Sequence, residues 1–187
     1  GKNISAAFDT LISYDDKLRQ KVGEREEYID YLNKGISEYI VSLMASEMSM
    51  DDSRKINGYY SIVSNLERIA DHAVNIAEYA DDMKKWDLQF SDNVLEELGE
   101  MKKQCMASLD TIKEVTSENA DDVLKQAAAM EQKNDNMRDK YFKKQMQRLK
   151  KGKCKPQSGI VFSEILTDFE RMGDHVLNIA QEYKEME

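Results

Sequence analysis

The stretch Glu67–Ala77, "ERIADHAVNIA", returns at Glu170–Ala180 as "ERMGDHVLNIA". Glu, Arg, Asp, His, Asn, Ile and Ala recur in register, and the two histidines of the chain, His72 and His175, hold the same slot. On a helical wheel advancing by about 100° per residue, Ile62, Val63, Leu66, Ile69, Ala70, Ala73, Ile76, Ala77 and Ala80 gather in one broad apolar sector. Glu67, Asp71, Asn75 and Glu78 line up along its shoulder. The second copy repeats that ridge with Glu170, Asp174 and Asn178, while Gln181 replaces Glu78. Both copies therefore read as amphipathic helices with an acidic stripe beside the core face.

Working outward, the chain has a single proline, Pro156, and few glycines, so breakers are absent from long stretches with three- and four-residue apolar spacing. The fold class is all-α. Helices are expected over 4–12, 15–45, from a cap at Asp51 or Asp52 to Lys85, over 93–115 and 121–150, and from Ser158 onward. On the second of these, Ile29, Leu32, Ile36, Ile40 and Leu43 share one side and are expected to face the core. The order is short, long, motif, then medium, long, motif. This predicts six helices as two tandem three-helix bundles, residues 1–86 and 87–187. Helices of thirty residues are roughly 45 Å long, which favours an elongated antiparallel bundle. The fourth helix reads about twice as long as the first, so the first is expected to lack its beginning and the chain to be a piece of a longer protein.

The 187 residues are 34% charged and 41% apolar, with a formal net charge of -9. Such a composition folds, and its sign argues against nucleic acid as a main partner, because duplex binding needs a basic face. No apolar run approaches the roughly eighteen residues of a membrane span. Cys105 and Cys154 form no CxxC pair, so neither a disulfide framework nor a zinc knuckle is indicated. Cys105 reads as a small apolar residue on a buried face.

Glu67–Asp71 and Glu170–Asp174 are like-charge neighbours at i,i+4, each costing an isolated helix roughly 0.2–0.5 kcal/mol. Either a neighbouring arginine or lysine offsets that repulsion, or a cation does. A set of carboxylates suits iron, manganese, magnesium or calcium better than a thiolate-preferring metal. The long helices offer companion acids: Glu26 with Asp30 in "EREEYID", and Glu131 with Asp135 in "EQKNDNMRD", where Asp135 with Asp139 fits almost as well. His72 and His175 point away from the acidic stripe, which suits helix-to-helix hydrogen bonds or a surface role. Arg68 and Arg171 are expected to pair with nearby acids. No nucleophile–base pair or Gly-rich phosphate cradle is present, so no enzyme is expected. A ferritin-like oxidase would need Glu-x-x-His on two helices, whereas Glu67 and His72 are five apart. From Lys140 to Lys155 the chain carries eight basic residues and no acid. That run suits a helix C-terminus, or a patch facing anionic headgroups or an attached membrane domain.

"NLERIADHAVNIAEYA" and "DFERMGDHVLNIAQEY" resemble the signature helices of the PhoU family, and "EREEYID" resembles its companion acidic stretch. The resemblance covers nearly the whole chain. "RLKKGKCKPQSGIVFSEIL" is most similar to the PhoU-type domain of bacterial sodium/phosphate cotransporter-related membrane proteins, which would place a membrane region upstream of Gly1. The resemblance implies a six-helix, often dimeric regulator of phosphate uptake or phosphate-starvation signalling. It would act on the cytoplasmic side of the inner membrane, with a transporter domain or a phosphate-signalling protein as partner. It also implies carboxylate-held metal, iron in particular, on Glu67, Asp71, Glu26 and Asp30 in one half. In the other half the ligands would be Glu170, Asp174, Glu131 and Asp135. The spacing around Asp135 departs from the pattern, which favours the first-half site. A metal-free helical scaffold or a free-standing regulator is the alternative.

Overall fold

The computed structural model describes residues 1–116 and 118–186, and every regular element among them is helical. The order is α1 (Lys2–Ile12), α2 (Asp16–Met44), α3 (Met50–Lys85), α4 (Asp92–Thr111), α5 (Ala120–Lys150) and α6 (Pro156–Glu185). The expected all-α, six-helix class is what the structure shows.

Local chemistry sets the ends. Asp15 caps α2, its Oδ1 accepting from the N–H groups of Lys17 (2.8 Å) and Leu18 (3.2 Å). At α3 the cap is Ser49 rather than Asp51 or Asp52. Its hydroxyl accepts from the Asp52 N–H at 3.1 Å and donates to the Asp52 carboxylate at 2.7 Å, so the acid at N3 supports a serine cap. Pro156 opens α6, two residues before the expected start, where its missing N–H has no role. α4 stops at Thr111, short of the expected Val115. The α5 terminus turns through Gly152 at φ 62, with Lys153 N–H reaching the Arg148 carbonyl at 2.9 Å and Gly152 N–H the Leu149 carbonyl at 3.0 Å. This Schellman turn needs a left-handed residue, and glycine adopts that conformation without a Cβ clash. α3 ends in the same way, with Asp87 in the left-handed position (φ 47) and Leu88 N–H bonded to the Met83 carbonyl at 2.9 Å.

The motif helices α3 and α6 lie against each other at the centre. α2 packs on α3, and α5 on α6, while α1 and α4 meet each other and each cover the motif helix of their own half. The shared core includes Phe8, Ile76, Leu98, Met101, Phe162, Ile165 and Phe169. Cys105 is buried, as expected, and burial pushes its thiol well above the ordinary range.

Two apolar expectations fail for one reason. Of the predicted α2 core stripe only Ile40 is buried, while Leu32 and Ile36 are exposed. On α3, Leu66 is 44% exposed, whereas Phe169 at the matching position of α6 is 0% exposed. α1 has 11 residues against 20 in α4. It cannot cover the lengths of α2 and α3 that correspond to those α4 covers on α5 and α6, which leaves an apolar groove of about 310 Å³ lined in part by Leu32, Ile36, Val63 and Leu66.

Candidate functional site

Reciprocal polar clasps hold α3 and α6 together at the repeated string. His72 Nδ1 lies 2.6 Å from Asp168 Oδ1, and Asn75 Nδ2 donates to the same oxygen at 3.2 Å. In mirror image, His175 Nδ1 lies 2.9 Å from Asn65 Oδ1, and Asn178 Nδ2 donates to that oxygen at 3.3 Å. The histidine rings stack on one another at 5.4 Å between centroids. Asn65 and Asp168 occupy equivalent slots, two residues before the motif glutamate. Each motif helix thus carries both the gripping His/Asn pair and the gripped side chain, as an antiparallel two-fold arrangement requires. The histidines form helix-to-helix contacts, which accounts for their recurrence without making them metal ligands. The clasp is not fully symmetric: the gripped side chain is a buried carboxyl group at Asp168 and an amide at Asn65. Burial, and next the Asp168 carboxylate, push the nearby Tyr79 phenol up. Burial and then the charge of His72 lower the His175 pKa to about 4.

The acidic ridges lie outboard of the clasp, facing α2 and α5. In the second half, Glu131, Asp135 and Asp174 each present an oxygen, all within 4.8 Å of one another. Glu131 is held above the ordinary carboxyl range by burial, then by Asp135 and Asp174. Asp174 is raised mainly by burial, against the Arg171 guanidinium that pulls it down. The partner of Glu131 from α5 is therefore Asp135. Asp139 is exposed and pairs instead with Arg138 at 2.8 Å. In the first half, Glu26 is raised by burial and then by Asp71 and Asp30, and Glu67 by burial and then by Asp71. These mutual repulsions place Glu26, Asp30, Glu67 and Asp71 in one neighbourhood, beside an open depression of about 430 Å³ lined by Glu26, Asp71 and Glu78 among others. The acids singled out by sequence thus fall into two neighbourhoods, each drawn from two helices, and among the described residues Glu131, Asp135 and Asp174 are the ones whose oxygens converge within 4.8 Å. The tightest oxygen set lies in the second half, not in the first, which the spacing argument favoured.

Arginines share this space. Arg138 Nε, from α5, is 3.3 Å from Glu170, and Arg171 is 3.4 Å from Asp174, the latter an intrahelical pair of the kind expected for it. Glu78, which the wheel placed on the acidic stripe, is taken up by Arg19 at 3.5 Å, while Arg19 Nε also holds Asp81 at 2.8 Å. Asp168 and Asn65 were missed as functional positions, although the alignment of the two copies held the signal.

The donor set fits a hard cation. It is all carboxylate, drawn from two helices, half-buried apart from exposed Asp30, and charge-repelled in a way a multivalent ion would relieve.

Comparison with known proteins agrees with this architecture. The PhoU domain model matches residues 1–80 and 98–183. The phosphate-specific transport system accessory protein PhoU homolog 1 of Thermotoga maritima is 26% identical over 183 residues, covering 97% of this chain and 78% of that protein. The phosphate-specific transport system accessory protein PhoU homolog of Clostridium acetobutylicum is 24% identical over 186 residues, covering 96% of this chain and 82% of its own. Among solved structures, PhoU from Pseudomonas aeruginosa superposes with a TM-score of 0.81 at 23% identity, covering 99% of this chain and 88% of that one. The phosphate transport system regulatory protein PhoU from Streptococcus pneumoniae gives 0.80 at 22% identity, with 98% and 86% covered. These two likenesses establish the shared fold. With the family model spanning both halves, the chain belongs to the PhoU domain family.

Proposed function

We propose that this protein is a non-enzymatic regulator of phosphate transport that holds multivalent cations on its two acidic quartets. The phosphate-transport part rests on the accessory proteins it resembles. The cation part rests on one observation: Glu131, Asp135 and Asp174 bring oxygens from α5 and α6 within 4.8 Å of each other. Repulsion among such groups is unfavourable until a cation neutralises them. Glu131 and Asp135, with Glu170 and Asp174, would hold the ion in one half, and Glu26, Asp30, Glu67 and Asp71 in the other. Iron is the first candidate metal. Bound there, the ion would cross-link the long helix of each half to its motif helix. A partner, whether a transporter domain or a phosphate-signalling protein, would then meet a stiffer surface. The setting proposed is the cytoplasmic face of the membrane system that imports phosphate. No described helix is long and apolar enough to cross a membrane itself.

The test is metal content after purification and reconstitution, for wild type and for Glu131→Gln/Asp174→Asn and Glu67→Gln/Asp71→Asn. Each pair should remove the metal of its own half and its stabilisation against heating, because a ligand bound only by the folded state raises Tm. Equal metal in all three proteins would refute the assignment.

A second reading is favoured by the guanidinium groups of Arg138 and Arg171 already set against Glu170 and Asp174. On that reading the ridges are ion-paired scaffolding, and chelator leaves Tm unchanged.

A further inference from the structure

We infer that the basic end built by the α5–α6 loop and the C-terminus of α3 is a surface for an anionic lipid bilayer. In a chain of net charge -9, the run from Lys140 to Lys155 holds eight basic residues and no acid. Because α3 and α6 are antiparallel, the fold sets the end of α3, with Lys84, Lys85 and Trp86, beside the start of α6. Lys155 Nζ fastens the two loops together by donating to the Asp87 carbonyl at 3.3 Å.

The charges divide into two sets. Lys144 and Arg148 are turned inward onto buried Glu97, at 2.9 and 2.6 Å. Lys150, Lys151 and Lys153 are exposed and form no ion pair among the described residues. A helix dipole is complemented by cations in its last turn. That accounts for Arg148 and Lys150, but Lys151, Lys153 and Lys155 lie beyond the helix end. At the end of α3, next to the Asp87 whose carbonyl Lys155 holds, stands Trp86, the sole tryptophan of the chain, 47% exposed. On the second turn of α6, Ile160 is 64% exposed.

Exposed lysines at the same end of the fold as an amphipathic indole match the chemistry of a headgroup layer, where basic residues meet anionic lipid and Trp settles at the interface. A nucleic-acid duplex fits worse. It needs an extended basic face, whereas here the charge is confined to one end, where Asp87 and Asp92 share a depression with Lys84 and Asp16 already pairs with Lys84 at 3.3 Å. The inference deepens the membrane-side setting proposed above and rests on that reading for context alone. The measurement below uses neither metal nor partner protein, so it succeeds or fails separately from both.

The experiment is co-sedimentation of the full chain with vesicles of phosphatidylcholine, alone or with phosphatidylglycerol, at low and high salt, with Trp86 emission followed in parallel. Binding should require phosphatidylglycerol, weaken with salt and shift the Trp86 emission to the blue. Each lysine near such a surface contributes about fivefold in partitioning, so Lys150→Gln/Lys151→Gln/Lys153→Gln should lose about a hundredfold. Its Tm should stay within a few degrees of wild type, since none of the three forms an ion pair among the described residues and only Lys150 lies in the last turn of α5. Equal binding to neutral vesicles would overturn the inference, as would unchanged binding by the triple variant or sedimentation without an emission shift. Binding to duplex DNA as tight as to anionic vesicles would make the patch a general polyanion site and overturn it too.

Discussion

Placing the same methyl group at two helical glycines should move stability in opposite directions. Gly173, in the second motif copy, lies on α6 against Asn134 of α5. A Cβ there would sit 3.1 Å from Asn134 Cγ and 3.3 Å from its Cβ, and would overlap Nδ2 outright. Asn134 is 1% exposed, so its side chain must shift within the core to admit the methyl group, and its Cβ and Cγ can give least. Overpacking of this kind costs about 1–3 kcal/mol, against which Gly→Ala in a helix returns up to about 1 kcal/mol. Set against the full propensity gain, the net for Gly173→Ala is a loss of roughly 0–2 kcal/mol, centred near 1 kcal/mol or a few degrees in Tm for a chain of this size. At Gly35, on α2, an added Cβ meets nothing within 4 Å. Only the propensity gain remains, so Gly35→Ala should stabilise by about 0.5–1 kcal/mol. Urea unfolding of both variants gives the comparison, and the double variant Gly173→Ala/Asn134→Ala sharpens it. Removing the obstructing amide should recover more than additivity allows, because the two residues share one contact. If Gly173→Ala were as stable as wild type, the close approach of α5 to α6 that brings Glu131 and Asp135 up to Asp174 would be wrong.

Three further outcomes follow from the clasp and the core. Asp168→Ala strands His72 and Asn75 together and should cost about 2 kcal/mol in chemical unfolding. Asp168→Asn should cost less, since an asparagine already serves at the mirrored position 65. His175, lowered to about 4 by burial and by His72, Arg68 and Arg171, takes up its proton in the unfolded chain first. Its contribution is complete above about pH 6.5 and is lost as pH falls towards 4. The stability difference between wild type and His175→Gln, followed by Tm against pH, should therefore shrink across that window. Glu97 is buried with Lys144 and Arg148 upon it, so Glu97→Ala leaves two cations without their anion and should cost about 3 kcal/mol or more in urea unfolding.

What the sequence made legible, and what it did not, divides along a physical line. Within one helix, periodicity sets which side chains share a face, and so the wheel found the acidic ridges around Glu67 and Glu170 and set the histidines apart from them. Between helices, the outcome depends on register and length, which no wheel contains. The stripe Leu32–Ile36 had the right period for burial and lacks only a covering helix. Arg138 reaches Glu170 because α5 and α6 pack at one register, and the spacing of neither helix carries that information. The reciprocal clasp lies between these cases. Once Asn65 and Asp168 are seen to occupy one slot in the two copies, an antiparallel pairing of the motif helices is the arrangement in which both slots meet a His/Asn pair. The duplicated string is thus explained at two levels. Its acids look outward to the long helices of each half, and its His and Asn look across the pseudo-two-fold to the other copy. A substitution at Asp71 or Asp174 should therefore alter ion binding while leaving the pairing of the halves intact, and one at His72 or Asn75 should do the reverse. Metal content and unfolding cooperativity, measured on the same variants, separate the two roles, and a variant at Asp174 that lost both would show that the ridges and the clasp are a single unit.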